Sequence, residues 1–205
     1  MVKCPMSKEV DSLDIDGLLV TRPVPIQGDS LWRYARKGVA MYDRILSIPD
    51  VDRTVQAVHK LPMKEAVSYF FHQGRDLKPG ALEFIRKRES TKFGNTGRKN
   101  RPHMVELTWD QLSSQGIDQL EDIYFTPPGM ENLISKGAAI NTLRQHYTHI
   151  THYDDDPYTL LLLARHFPDV DFVLVEDHST AILLARVDLS EYPNVTVVEN
   201  LQDLL

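Results

Sequence analysis

A chain of 205 residues is long enough for one domain with a sizeable core and requires no second one. Its hydrophobic share of 42% and charged share of 25% are those of an ordinary globular protein, and a formal net charge of -6 argues against a general binder of nucleic acids or anionic membranes. The single cysteine, Cys4, cannot form an intrachain disulfide, and no cysteine cluster suggests zinc, so a reducing intracellular compartment is the simpler expectation.

The N-terminal stretch MVKCPMSKEVDSLD lacks the apolar core of a signal peptide, and no apolar run approaches the length of a bilayer span. A soluble, cytoplasmic protein without membrane contact is expected. Val10 to Ile15 reads as a first strand, although Asp11 and Ser12 make it more polar than a buried parallel strand usually is. It ends in Asp14-Ile15-Asp16-Gly17, where residues 14 and 16 project to one side and Gly17 lets the backbone turn away.

Residues 28–77 carry helical patterning broken by Pro49 and Pro62, which predicts a small helical, cap-like insertion after the first strand. Trp32 and the pair Phe70-Phe71 are expected to pack it. Lys78-Pro79-Gly80 opens a helix with Leu82, Phe84 and Ile85, followed by a strand at Thr91 to Gly94 and a turn at Thr96-Gly97-Arg98. Thr108 can cap a helix ending near Gly116, and Asp122 to Phe125 reads as a strand stopped by Pro127-Pro128.

Ser135 can cap the next helix, and Tyr147 to Tyr153 is strand-like up to the acidic triplet Asp154-Asp155-Asp156. Leu160 to His166 is helical, Asp171 to Val175 is a strongly apolar strand, and Val195 to Val198 is the last strand. Alternating strands and helices predict an α/β, three-layer Rossmann-like fold: a mainly parallel central sheet with helices on both faces, in one domain spanning residues 1–205. Ligands of such sheets lie at the carboxyl ends of the strands, where the acidic and Thr-Gly-Arg motifs fall.

The chemistry of these motifs is that of phosphoryl transfer. One carboxylate of the DIDG run can attack phosphorus while the other manages protons, and an anionic substrate then needs neutralising by an oxygen-liganded Mg2+ ion and an ammonium. Each motif alone has an ordinary reading as a turn, a helix start or a solvated charge.

Taken in order, the motifs resemble those of the haloacid dehalogenase-like (HAD) phosphohydrolase superfamily over roughly Val10 to Asn200. The resemblance implies that Asp14 is a nucleophile forming an aspartyl-phosphate and that Asp16 is the general acid/base. Thr96, with Gly97 and Arg98, would hold the phosphoryl oxygens, and Lys136, the last lysine after Lys99, would stabilise the nucleophile and the phosphoryl group. Mg2+ would be held by Asp14, the backbone carbonyl of Asp16, and Asp155 or Asp154, with Asp156 capping the following helix. Leu18 stands where the family usually has Thr.

Leu19 to Trp32 and Arg101-Pro102-His103 before Leu107-Thr108 resemble the branch called Swiss Army Knife RNA repair-like. The implied function is a Mg2+-dependent phosphatase acting on a phosphorylated small molecule, a nucleotide or a nucleic-acid end; the alternative is a HAD-like scaffold with little catalysis. The basic stretch Arg86, Lys87, Arg88, Lys92, Arg98, Lys99 and Arg101 could steer such a substrate or form a solvated face. His149 and His152 should face opposite sides of a strand, which disfavours a zinc site with His146.

Overall fold

A computed structural model describes residues 9–21, 72, 75–176 and 187–205. The helical insertion expected at 28–77, with Trp32, Phe70 and Phe71, lies outside the described residues except for His72 and residues 75–77. The described elements run β1 (Glu9–Leu13), α1 (Ala81–Lys87), β2 (Thr91–Lys99), α2 (Pro102–Ser114), β3 (Asp122–Thr126), α3 (Asn132–Leu143), β4 (His149–Asp154), α4 (Pro157–His166), β5 (Asp171–Val175) and β6 (Val195–Val198). Among the described residues no helix is long and apolar enough to cross a membrane.

All six strands are parallel, in the order β3-β2-β1-β4-β5-β6. The chain therefore winds outward from β1 in one direction through β2 and β3, and in the other through β4, β5 and β6. The reversal between β1 and β4 opens a crevice beyond their carboxyl ends, the usual ligand position of such sheets. Alternation along the strands sends side chains into two separate cores. Leu13, Ile15, Ile123, Tyr153 and Val173 pack with Phe84 and Ile85 of α1 and Leu112 of α2. Val10, Phe93, Ile150, Phe172 and Leu174 pack with Ile140 and Leu143 of α3 and Leu160 and Leu163 of α4.

The polarity of β1 has a structural cause on each face. Asp11 is buried on the α1 side, where it accepts two hydrogen bonds at 3.0 Å from the Arg88 guanidinium and another from Ser90. Ser12 is buried on the α3 side, where its Oγ meets Asn95 Nδ2 at 3.3 Å and His152 Nδ1 at 3.0 Å. A buried polar group is tolerated when its partners are built in, as both are here. Leu18 is fully buried among Leu13, Ile15 and Leu19, so this position serves the core.

Several boundaries differ from those expected. β2 continues through Thr96-Gly97-Arg98 to Lys99 with a register shift against β3, and no free turn forms there. α2 starts at Pro102, whose missing N–H suits a first helical position; Thr108 is an interior residue donating to the Met104 carbonyl. α3 starts at Asn132, which places Ser135 inside it. β4 starts at His149, two residues after Tyr147, and takes in Asp154. Asp156 does cap α4, accepting from the Tyr158 N–H at 3.1 Å.

The chain leaves the sheet after β1 and returns beside its own exit. Gly17 N donates to Val20 O at 2.8 Å, and Val20 forms an antiparallel bridge with Leu77. Thr21 N donates to Asp76 O and Lys78 N to Leu19 O, both at 2.9 Å. Residues 19–21 and 76–78 thus lie side by side.

Candidate active site

Three strand ends, those of β1, β2 and β4, and one helix converge at the crevice. Asp14 follows β1 directly, and its N–H continues the pairing by donating to Tyr153 O at 2.9 Å. Asp154 ends β4 and Asp155 follows it, and Asp14, Asp154 and Asp155 are buried with a carboxylate oxygen of each within 4.8 Å of the others. Gly17, at φ +99°, makes this approach possible: a β-carbon there would lie 2.0 Å from Asp155 Oδ2.

Lys136 reaches the cluster from α3, with Nζ 2.9 Å from Asp14 Oδ1 and 2.6 Å from Asp154 Oδ2. Among the described residues, three carboxylates meet one ammonium here, a local excess of negative charge in a buried space. Burial drives the Asp14 carboxyl well above the usual carboxylate range, and Asp154 and Asp155 push it further, against the pull of Lys136. Burial acts the same way on Asp154, yet Lys136 and His152 outweigh it and hold that carboxyl below its usual range. Lys136 is raised despite its burial, because Asp14 and Asp154 favour the ammonium.

The donor set consists of hard carboxylate oxygens, and its unbalanced negative charge fits a divalent cation of the Mg2+ type. Among the described residues no other cluster of three or more potential metal ligands occurs. His149 is exposed and His152 is buried, on opposite faces of β4 as expected.

Asp16 occupies a different environment. Its carboxylate accepts from Arg98 Nε at 3.0 Å and Nη2 at 2.8 Å, and from Arg75 Nη1, while His72 Nδ1 lies 3.6 Å away. Thr96 Oγ1 donates to Asp16 Oδ2 at 3.4 Å and accepts the Arg98 N–H at 3.2 Å. Burial would raise this carboxyl, but His72 and the Arg98 guanidinium outweigh it and hold Asp16 well below the usual carboxylate range. Arg98 is fully enclosed, and it also donates to Thr108 Oγ1 and Gln111 Oε1 at 3.0 Å. Gly97 makes room for Asn132, whose amide would lie 3.1 Å from a β-carbon at that position.

The expected residues therefore gather in two adjoining groups: Asp14, Lys136, Asp154 and Asp155 in one, and Asp16, Thr96 and Arg98 in the other. The sequence reading missed Arg75, His72 and the buried chain Ser12–His152–Asp154. His152 Nε2 lies 3.4 Å from Asp154 Oδ2, and a neutral ring protonated there satisfies both Asp154 and the Ser12 hydroxyl. Burial lowers the His152 pKa and favours that neutral form. A signal for this chain did exist: Ser12 and His152 sit two residues before Asp14 and Asp154, on the same strand face. Nothing in HQGRD marks Arg75. The basic stretch also divides, since Arg88 and Arg98 pair with Asp11 and Asp16, and Lys92 is buried against the Arg88 and Ser90 carbonyls.

Comparison with solved structures gives the same architecture. The chain is similar to a protein from Bacillus subtilis described as a HAD-hydrolase bound to magnesium, with a TM-score of 0.54, 11% identity and 96% of each chain covered. It is likewise similar to a haloacid dehalogenase-like hydrolase from Burkholderia xenovorans LB400, with a TM-score of 0.53, 13% identity and 98% of each chain covered. A family hydrolase from Xanthomonas campestris matches with a TM-score of 0.52 and 8% identity over 96% of this chain and 88% of that one. Neither the protein-family models nor the curated proteins give a match. The chain has the fold of the HAD-like hydrolases.

Proposed function

We propose that the protein is a Mg2+-dependent phosphohydrolase that works through an aspartyl-phosphate on Asp14. The observation that carries this reading is the buried Asp14–Asp154–Asp155 cluster with Lys136 Nζ set 2.9 Å from Asp14 Oδ1. Asp14 and Asp155, with the Asp16 carbonyl, would hold the metal. Asp154 is the poorer ligand, since Lys136, His152 and the Asp156 N–H already engage its oxygens. A bound cation would offset the cluster's excess negative charge and the charge of the phosphoryl group.

An Asp14 oxygen attacks phosphorus, and the bond to the leaving alcohol oxygen breaks as that oxygen takes a proton from Asp16. Asp16 then removes a proton from water, whose oxygen attacks the same phosphorus and frees phosphate and the Asp14 carboxylate. Lys136 fixes the attacking carboxylate, and the Thr96 hydroxyl donates to a phosphoryl oxygen. The substrate is a phosphorylated small molecule or nucleotide; a nucleic-acid end is the further option that the narrower branch resemblance offers.

Hydrolysis of p-nitrophenyl phosphate with and without Mg2+ tests the reading, and Asp14→Asn should lose turnover while keeping its circular dichroism and cooperative melt. Turnover unchanged in that variant removes the mechanism. One observation favours a second reading, a HAD-like fold that binds without turning over: Asp16 is held ionised by guanidinium groups and has no proton to give in this arrangement. Stabilisation by Mg2+ with beryllium fluoride in a protein that hydrolyses no ester would select it.

A further inference from the structure

Resting on the hydrolase reading, we infer that His152 is a positioning residue: with Asn95 and Ser12 behind it, it locks Asp154 as the anchor of Lys136 and so holds the ammonium against the attacking carboxylate of Asp14. Each link of this chain has one direction. The Lys136 carbonyl can only accept, so the Asn95 amide turns its Nδ2 toward it at 3.4 Å and toward Ser12 Oγ at 3.3 Å. Ser12 Oγ, already accepting that N–H, is left to donate its own proton to His152 Nδ1 at 3.0 Å. The ring proton then sits on Nε2, 3.4 Å from Asp154 Oδ2, which can only accept. The same oxygen takes the Lys136 ammonium at 2.6 Å, and Asp154 Oδ1 takes the Asp156 N–H at 3.0 Å.

The network thus grips Lys136 twice, at its carbonyl through Asn95 and at its ammonium through Asp154. Ser12, Asn95, His152 and Asp154 are each 0% exposed, so a lost link is not made good from bulk solvent. Phe172 packs edge-on against the imidazole, with 5.8 Å between ring centroids, and fixes its plane. A lysine ammonium on a flexible four-carbon stem needs such an anchor. Asp14 does not suffice, because its negative charge is lost once its oxygen bonds to phosphorus, whereas Asp154 keeps its charge throughout. Without the imidazole, Asp154 Oδ2 would be held by the lysine alone, and the pair would be free to swing together toward a metal at Asp14 and Asp155. His152 therefore serves the reaction without touching the substrate.

Two measurements on the full chain test this. With Mg2+ and p-nitrophenyl phosphate, His152→Leu should lower kcat about 10- to 100-fold with KM little changed, the range for losing a hydrogen bond that supports a reacting group. His152→Gln, which keeps an N–H toward Asp154, should regain most of that loss. In 15N-labelled, metal-free protein, the Lys136 ammonium resonance, assigned by its absence in Lys136→Met, should be sharp in the wild type and in His152→Gln and broadened or lost in His152→Leu. Ser12→Ala is a smaller change that should act in the same direction, and it decides the matter if His152→Leu does not melt cooperatively. A kcat and an ammonium resonance unmoved in the cooperatively melting variants, or equal losses in His152→Gln and His152→Leu, overturn the inference. If the resonance responds as expected in a protein that hydrolyses no ester, the hydrolase reading alone falls; if the ester is hydrolysed and neither readout moves, this inference alone falls.

Discussion

Asp14 and Asp16 stand two positions apart and experience opposite fields. Asp14 shares its space with Asp154 and Asp155, so its charge is in surplus; Asp16 is enclosed by Arg75, Arg98 and His72, so its charge is required. Neutralising each should then affect stability differently. Asp16→Asn removes the carboxylate that Arg75 and Arg98 share and should cost about 3 kcal/mol in denaturant unfolding, in the range for breaking one side of a buried ion pair. Asp14→Asn removes a surplus charge and should leave metal-free stability equal or higher. The Asp16 carboxyl is depressed on folding, so its contribution is present above the unfolded value of about 3.9 and is lost as pH falls through the lower folded value. Acid unfolding of Asp16→Asn should accordingly be flatter below that point; an unchanged slope counts against the pairing. The carboxylates, Thr96 and Lys136 were legible because motif order and strand ends mark them. Arg75 was not, since its place follows from where the chain returns to the core, which helical patterning over residues 28–77 does not specify.

At the level of elements, β5 and β6 match their expected bounds because apolar strand patterning is strong there, whereas the helix starts moved. Pro102 and Asn132 open α2 and α3, while the capping types Thr108 and Ser135 are interior residues. A hydroxyl inside a helix can donate back to its own turn, as Thr108 does to Met104 O at 2.7 Å, so residue type alone does not locate a start. α4 is closed by a residue far along the chain. Asn194, just before β6, points Nδ2 at the Ala164, Phe167 and Val170 carbonyls at 3.0–3.1 Å, binding the end of α4 to the sheet edge. Asn194→Ala should lower stability by about 1–2 kcal/mol, as for a lost helix cap with orphaned carbonyls. Urea titration measures it, and a change within error would show that water replaces the amide.

For the molecule as a whole, the parallel sheet with helices on both faces follows from alternation of elements, while the strand order, with β1 and β4 as central neighbours, depends on contacts that a single sequence does not display. That choice concentrates negative charge at the crevice. Mg2+ at about a hundred times its Kd should stabilise the protein by about 2.7 kcal/mol, or roughly 5–10 °C in Tm. Asp155→Asn should remove most of that gain, and an equal shift in both proteins would place the ion elsewhere. The paired limbs at Val20 and Leu77 have a consequence of another kind. They hold residues 19–21 and 76–78 together within the core, and loop-closure entropy changes by only about 0.6 kcal/mol for each doubling of the length between them. Replacing residues 22–71 with a short Gly-Ser linker should leave a core that still melts cooperatively, so the length of chain joining these two limbs is free to change while the sheet beneath them stays as it is.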